Sequence, residues 1–162
     1  MSQRVGIGLD AHPFDAGRLL RLGGVELPGS PGLSGHSDGD ALLHAIADAI
    51  LGAAALPSLG ELFSDQDPSW KGADSARFLA RARELAAERG WRIGNVDAVV
   101  VAQEPKIAPH AAAIRARIAE ILGVEASAVS VRGTSTNGLG FPGRREGIAA
   151  MAVVLLERDR EP

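Results

Sequence analysis

The run ALLHAIADAIL, residues 41–51, constrains the fold more than any other stretch, because its apolar side chains recur at helical spacing. Ala41, Leu42, Ala45, Ile46, Ala49 and Ile50 share one face, which has to be covered by other parts of the chain. The other side is polar: Asp40, His44 and Asp48 stand four apart and stack along one stripe. Ser37 or Asp38 is positioned to cap the helix, which should run to about Ala54. On that stripe Asp40 can serve the helix dipole, and Asp48 can either orient an imidazole or stand as a solvated charge.

Strands and further helices are available to cover the buried face. VGIGLDAH, residues 5–12, alternates as a strand, with Val5, Ile7 and Leu9 expected inward and Gly6, Gly8, Asp10 and His12 on a bare opposite face. Residues 18–27 read as a short strand and turn leading into a loop, PGSPGLSG. A second helix is expected from a cap at Asp74 or Ser75 to Gly90, burying Phe78, Leu79, Ala82, Leu85 and Ala86. NVDAVVVAQ, residues 95–103, is β-branched enough for an interior strand. A third helix spans 109–123, with Pro109 in its first turn, Ile114, Ile118, Ile121 and Leu122 inward and Gly123 at its end. A strand over 129–133, a polar turn over 134–144 and a last strand over 147–157 complete an α+β order with helices on one face of a sheet.

Residues 1–162 fit a single domain able to bury roughly 70% of its unfolded surface, so a core forms without staples. With 46% hydrophobic and 23% charged residues the chain is not disordered, and its net charge of −3 gives no general attraction to nucleic acid or anionic membrane. Cysteine is absent, which excludes disulfides, thiolate nucleophiles and cysteine-held metals. Neither a signal peptide nor an apolar run near the ~20 residues of a membrane span is visible, so the cytoplasm is the expected compartment.

Four groups of residues could carry chemistry. Asp10 and His12 project from one side of a strand, and a histidine from a neighbouring helix, with His44 the natural candidate, would complete a tetrahedral zinc site with one open position. Equally, they could end a strand in a turn while His44 is an ordinary helix residue. His36 and Ser37 precede a helix, where free N–H groups favour an anion, or where Ser37 merely caps. Thr134, Ser135 and Thr136, followed by glycines and Arg144, suit a phosphate or simply a glycine-rich turn. QEPKIAP, residues 103–109, leaves a strand where nucleotide pockets often form, although any β-to-α turn needs such residues.

In chain order, LDAHPF, GHSDGDALLHAIADAILGAAAL, GELFSDQDPSWKGADS, NVDAVVVAQEPKIAPH and GTSTNGLGFPGRREGIAA resemble the 2-C-methyl-D-erythritol 2,4-cyclodiphosphate synthase family of the non-mevalonate isoprenoid route. The resemblance covers nearly the whole chain. It implies a mixed four-stranded sheet with helices on one face, assembled as a homotrimer around a central β-prism with active sites at the subunit interfaces. The implied reaction closes 4-diphosphocytidyl-2-C-methyl-D-erythritol 2-phosphate to the cyclic diphosphate and expels CMP. Asp10, His12 and His44 match the ligands of one Zn²⁺ per subunit, with a second divalent ion, Mg²⁺ or Mn²⁺, arriving with substrate. The resemblance implies that the first ion would polarise the β-phosphate and that the second would neutralise charge on the diphosphate.

By position, His36 and Ser135 match the residues that stabilise the transition state, and Ser37, Thr134, Thr136 and Asn137 join them on the phosphates. Asp10 and His12 also match substrate-facing positions of the family. Ala102, Gln103, Glu104, Pro105, Lys106, Ile107 and Ala108 match the cytidine pocket. Ser58, Leu59 and Gly60, with Phe63, Ser64, Asp65, Gln66 and Asp67, match the segments around ribose and methylerythritol. Phe141 and Arg144 match positions beside an axial cavity that accepts isoprenoid diphosphates in the family.

Departures from the family pattern accompany the match. Asn137 stands where Glu or Asp commonly holds the second metal, so weaker binding of that ion is expected. Ser58 replaces a usual Asp and loses a carboxylate contact to ribose, whereas Ser135 keeps the hydroxyl of the common Thr. A zinc phosphohydrolase and a non-catalytic isoprenoid-diphosphate-binding protein are the competing readings.

Overall fold

The computed structural model describes residues 1–158. Strands β1 (Ser2–Leu22) and β2 (Val25–Leu33) form a hairpin, followed by α1 (Ala41–Ala53), the single turn α2 (Leu59–Leu62) and α3 (Ser75–Glu88). Then come β3 (Arg92–Val101), α4 (Ala111–Leu122), β4 (Val129–Thr134), the short α5 (Gly140–Gly143) and β5 (Gly147–Arg158). The sheet has five strands in the order β2-β1-β5-β3-β4, with β3 and β4 parallel and the other pairs antiparallel. β3 is interior, as its β-branched run requires. Among the described residues no helix is long and apolar enough to cross a membrane.

The fifth strand corrects the expected count of four. The count of four is what the resemblance implies; residues 18–22, read as a separate short strand, complete β1, and Val25–Leu33, which takes in most of the expected loop PGSPGLSG, forms β2. β1 pairs with β5 from Ser2 to Pro13, then with β2 from Phe14 to Leu22, its second half passing through register shifts between Asp15 and Leu20. Those irregularities, and the prolines and glycines of an edge strand, erase the alternation that marks a strand in sequence. The hairpin closes on Gly23 and Gly24, both left-handed with φ of 62° and 74°, the conformation that a two-residue turn matched to strand twist demands.

A second correction concerns the faces of β1. Val5, Ile7 and Leu9 point away from the core and are 68%, 65% and 63% exposed, whereas Gly6 and Gly8 are buried. The physical reason is close packing of backbone on backbone. A Cβ on Gly6 would lie 1.9 Å from the Ala49 carbonyl oxygen, and one on Gly8 would lie 1.9 Å from that of Ala45. Only glycine lets α1 lie this near the strand, and the helix answers with its own small residues Ala45, Ala49 and Ala53. Helix α1 is buried on almost every side, covered by the sheet and α3, so its apolar stripe was only part of its contact surface.

The cap of α1 is Asp40, not Ser37 or Asp38. Its carboxylate accepts the Leu43 N–H at 3.0 Å, the Gly23 N–H at 2.9 Å and the Gly24 N–H at 2.7 Å. One fully buried side chain therefore caps the central helix and ties down the hairpin turn. Burial pushes this carboxyl up, against the backbone donors that hold it ionised. Asp40 thus serves the fold and leaves the polar stripe. Two expected ends of the outer helices hold: Asp74 caps α3 by accepting the Ala76 N–H at 2.9 Å, and Gly123 ends α4 with φ 67°; α3 stops at Glu88, short of Gly90, and Pro109 lies in a separate 3-10 turn, Ala108–His110, ahead of α4.

Candidate metal centre and flanking clefts

The packing of α1 across β1 determines what meets at the far end of the strand. Proceeding along β1, Gly6 lies against Ala49 and Ala53, Gly8 against Ala45, and Asp10 with His12 against His44. Strand and helix thus run past one another until the glycines give way to ligand-type side chains. Asp10 Oδ2 lies 2.7 Å from His12 Nε2 and 3.1 Å from His44 Nδ1, and the two ring nitrogens are 3.3 Å apart. Donors at ~2.0 Å from a tetrahedral ion are ~3.3 Å from each other, so the triangle fits such an ion with little rearrangement. Among the described residues these three are the group of His, Asp and Glu side chains that could hold a metal.

The remaining ring nitrogens fit too. His12 Nδ1 is 2.7 Å from the Ser34 carbonyl oxygen, which can only accept, so Nδ1 carries a hydrogen and the Nε2 lone pair is the one a metal would take. His44 Nε2 is 2.8 Å from Ser75 Oγ. Burial alone would raise the Asp10 carboxyl, but hydrogen bonds and charge from His12 and His44 outweigh it and hold it at about 2. The same bond raises the basicity of His12 against the opposing effect of burial. An ionised carboxylate beside two oriented imidazoles is the donor set a divalent cation of zinc type takes.

These groups open onto a cleft of about 440 Å³. His36, Leu59, Gly60, Phe63 and Asp65, which the resemblance matched to substrate-facing positions, line it together with Ser37. Trp70, Phe78 and Asp48 line it as well. Trp70 was missed because nothing in its local sequence marks it; it is brought in by edge contact with Phe63 at 5.0 Å and tilted contact with Phe78 at 5.4 Å. Phe78, read only as core, is 5.9 Å from the His44 ring. Asp48 neither orients an imidazole nor stands as a solvated charge, because its carboxylate accepts the Leu59 N–H at 2.7 Å and fixes α2 on the cleft wall.

Several expected contacts are turned elsewhere within the chain. The Ser37 hydroxyl is buried, 3.2 Å from His44 Nε2, rather than open to an anion. Ser58 does not line the cleft; its N–H and hydroxyl both donate to Glu61, at 2.7 and 2.8 Å. Ser64 and Gln66 are exposed, and Asp67 accepts the Ser69 N–H at 2.9 Å while its carbonyl lies 3.2 Å from His36 Nε2.

A second, separate cleft of about 170 Å³ is lined by Ala102, Pro105, Lys106, Ile107, Ala108, Gly133, Thr134 and Ser135. The nucleotide segment and the hydroxyl turn therefore meet each other, but not the metal centre. Gln103 and Glu104 fall beside this cleft: Gln103 accepts the Gly138 N–H at 3.3 Å and Glu104 pairs with Arg145 at 3.2 Å. Thr136 bonds the Leu139 carbonyl, and Asn137 occupies a left-handed position with φ 54°, which Asn tolerates better than most residues. Arg144 is paired with Glu146 at 2.8 Å, so its fork is already engaged, and Phe141 and Leu139 are exposed near it.

Comparison with known proteins bears on this arrangement. The YgbB family profile matches residues 3–157. A 2-C-methyl-D-erythritol 2,4-cyclodiphosphate synthase from Halalkalibacterium halodurans is 56% identical over 153 residues, covering 94% of this chain and 98% of its own. One from Alcanivorax borkumensis is 53% identical over 157 residues, covering 97% and 98%. Among solved structures, the IspF of Plasmodium falciparum in a CDP complex superposes with TM-score 0.85 at 36% identity over 98% of both chains. The bifunctional IspDF of Campylobacter jejuni gives TM-score 0.94 at 40% identity over 98% of this chain, which spans 43% of that longer one.

Proposed function

The chain belongs to the YgbB family, and from that premise we infer that it converts 4-diphosphocytidyl-2-C-methyl-D-erythritol 2-phosphate to 2-C-methyl-D-erythritol 2,4-cyclodiphosphate and CMP. An oxygen of the 2-phosphate forms a bond to the β-phosphorus, and the bond from that phosphorus to the oxygen bridging it to the α-phosphorus breaks. CMP leaves with the bridging oxygen. The observation that carries the assignment to chemistry is the Asp10, His12, His44 triangle beside a cleft sized for a small phosphorylated ligand. The phosphohydrolase and non-catalytic readings find no support among the relatives.

The enzyme is metal-dependent, and the ion that fits Asp10, His12 and His44 is one Zn²⁺ per subunit. When bound, it supplies Lewis-acid polarisation and charge neutralisation to a phosphate oxygen. The rest of the work is positioning, because two anionic groups of one molecule have to be brought together against their repulsion. His36, half-buried on the cleft wall, donates to phosphate oxygens from one side. Ser135, with Thr134, donates from the other, and the cleft formed by Ala102, Pro105, Lys106, Ile107 and Ala108 holds the cytidine.

These two sets of residues line separate clefts, which supports an active site completed between subunits. The outward face of the sheet supports the same homotrimer: Val5, Ile7 and Leu9 of β1 stand beside Met151 and Val153 of β5, all large, apolar and exposed. Burying such faces against one another at a threefold axis forms a central β-prism, with Phe141 and Arg144 beside an axial cavity suited to an isoprenoid diphosphate. Each chain acts as a single domain in this assembly. Sedimentation equilibrium should return three chains per particle, and the zinc-loaded protein should release CMP rather than inorganic phosphate from the nucleotide substrate; release of phosphate would reject the synthase reading.

Asn137 is the expected ligand for the second divalent ion, Mg²⁺ or Mn²⁺, and its amide brings no charge. Asn137→Asp should bind Mg²⁺ more tightly, by about tenfold, for one added charge at an exposed site. Isothermal titration in the presence of CDP compares the two, and equal affinities would remove Asn137 from the second site.

A further inference from the structure

Behind His44, a chain of polar side chains runs through the buried Ser75 to the half-buried Asp38. His44 Nε2 is 2.8 Å from Ser75 Oγ, and Ser75, the first residue of α3, is fully buried. Ser75 is held by Asp38: its hydroxyl makes a short hydrogen bond to Asp38 Oδ1, and its backbone N–H donates to Oδ2 at 3.0 Å. Asp38 Oδ1 also accepts the Asp40 N–H at 3.1 Å, while its own N–H donates to the Ala73 carbonyl at 3.1 Å. The carboxylate is thereby fixed from both neighbouring segments.

With a cation held by Asp10, His12 and His44, the donors and acceptors of this chain run in one direction. Asp38 is an acceptor, so the single hydroxyl hydrogen of Ser75 goes to it. The Ser75 oxygen is then free to accept, and what it accepts is the Nε2–H of His44. With the hydrogen on Nε2, Nδ1 keeps its lone pair, and Nδ1 is the atom directed at Asp10 and His12. Asp74 already caps α3, so the helix end does not need the Ser75 hydroxyl for that purpose.

We propose that Ser75 and Asp38 are positioning residues for the metal centre, selecting the Nε2–H tautomer of His44 and fixing its ring so that Nδ1 serves as ligand. This rests on Asp10, His12 and His44 being the metal ligands. The Ser37 hydroxyl, 3.2 Å from the same nitrogen, accepts the Gly39 N–H at 3.4 Å and lies 3.4 Å from Ser75 Oγ, where it donates to the second lone pair of that oxygen and leaves the His44 contact in place. Outer partners of a metal-bound imidazole typically change metal affinity by about 10- to 100-fold when removed.

Competition of the purified protein with a chromogenic chelator for Zn²⁺ tests this directly. Ser75→Ala should bind Zn²⁺ about 10- to 100-fold more weakly than the wild type, and Ser75→Thr, which restores the hydroxyl, should recover most of that loss. Unchanged Zn²⁺ affinity in Ser75→Ala overturns the proposal. A His44→Ala control separates the two readings: if it too retains Zn²⁺ affinity, the ligand assignment fails, whereas its loss beside an unaffected Ser75→Ala condemns the positioning role alone. Long-range ¹H–¹⁵N correlation on the Zn²⁺-loaded wild type needs no substitution; a hydrogen on His44 Nε2 is expected, and one on Nδ1 overturns the proposal.

Discussion

Gly8→Ala is expected to destabilise the protein by about 3 kcal/mol or more and to weaken its metal centre at the same time. The added Cβ would lie 1.9 Å from the Ala45 carbonyl oxygen and 2.8 Å from the Ala49 nitrogen. Both are backbone atoms in the middle of a helix, so no side-chain rotation relieves the overlap and α1 has to retreat bodily. Ten of its residues are buried, from Ala41 to Ala53, and each loses contact as it moves. Against a total stability of about 5–15 kcal/mol, that is a large fraction. His44 moves with the helix, while Asp10 and His12 stay with the strand. Ligand constellations tolerate displacements of only about 0.5 Å, so Zn²⁺ affinity should fall at least tenfold even at temperatures where the variant stays folded. Urea unfolding and Zn²⁺ titration read the two effects; a variant with wild-type midpoint and affinity would refute the packing account of the site.

His44→Ala should do the reverse, sparing the fold and abolishing the chemistry. One of three protein donors disappears, and Asp10 and His12 alone leave a divalent ion weakly held. Loss of the several kcal/mol of charge stabilisation such an ion supplies corresponds to about 10³-fold or more in CMP formation. The side chain is at the cleft wall, with its ring against Phe78 and His12, so truncation opens space that water can fill. Unfolding by urea should shift little when both proteins are compared free of metal. Near-normal turnover with bound Zn²⁺ would show that the donors lie elsewhere.

The two variants sit on opposite sides of the same contact, and together they show how much of this site is readable from residues in order. Asp10 and His12 are two apart on a strand, and strand geometry alone puts them on one side. The HSDGD segment with His44 and the LGFPGR turn are distinctive enough to suggest the family and, through it, the reaction. Helix existence was legible from periodicity and caps, as the Asp74 and Gly123 ends illustrate. Trp70 entered the cleft without any such mark, because its place there depends on stacking with Phe63 and Phe78 from other segments.

Which side of β1 would be buried could not be read from its own residues. Val5, Ile7 and Leu9 look like core, yet the absent side chains of Gly6 and Gly8 decide the matter, since they permit a helix backbone to approach where no larger residue could. The division of labour along the polar stripe is likewise invisible locally: Asp40 holds a hairpin turn, His44 joins Asp10 and His12 in the candidate metal centre, and Asp48 anchors α2. Local order dictates periodicity, turns and the chemical identity of the donors, because those depend on neighbours within a few residues. The pairing of Asp10 and His12 with His44, and of His44 with Ser75, is a property of the packed chain, because it depends on how closely two backbones can come together.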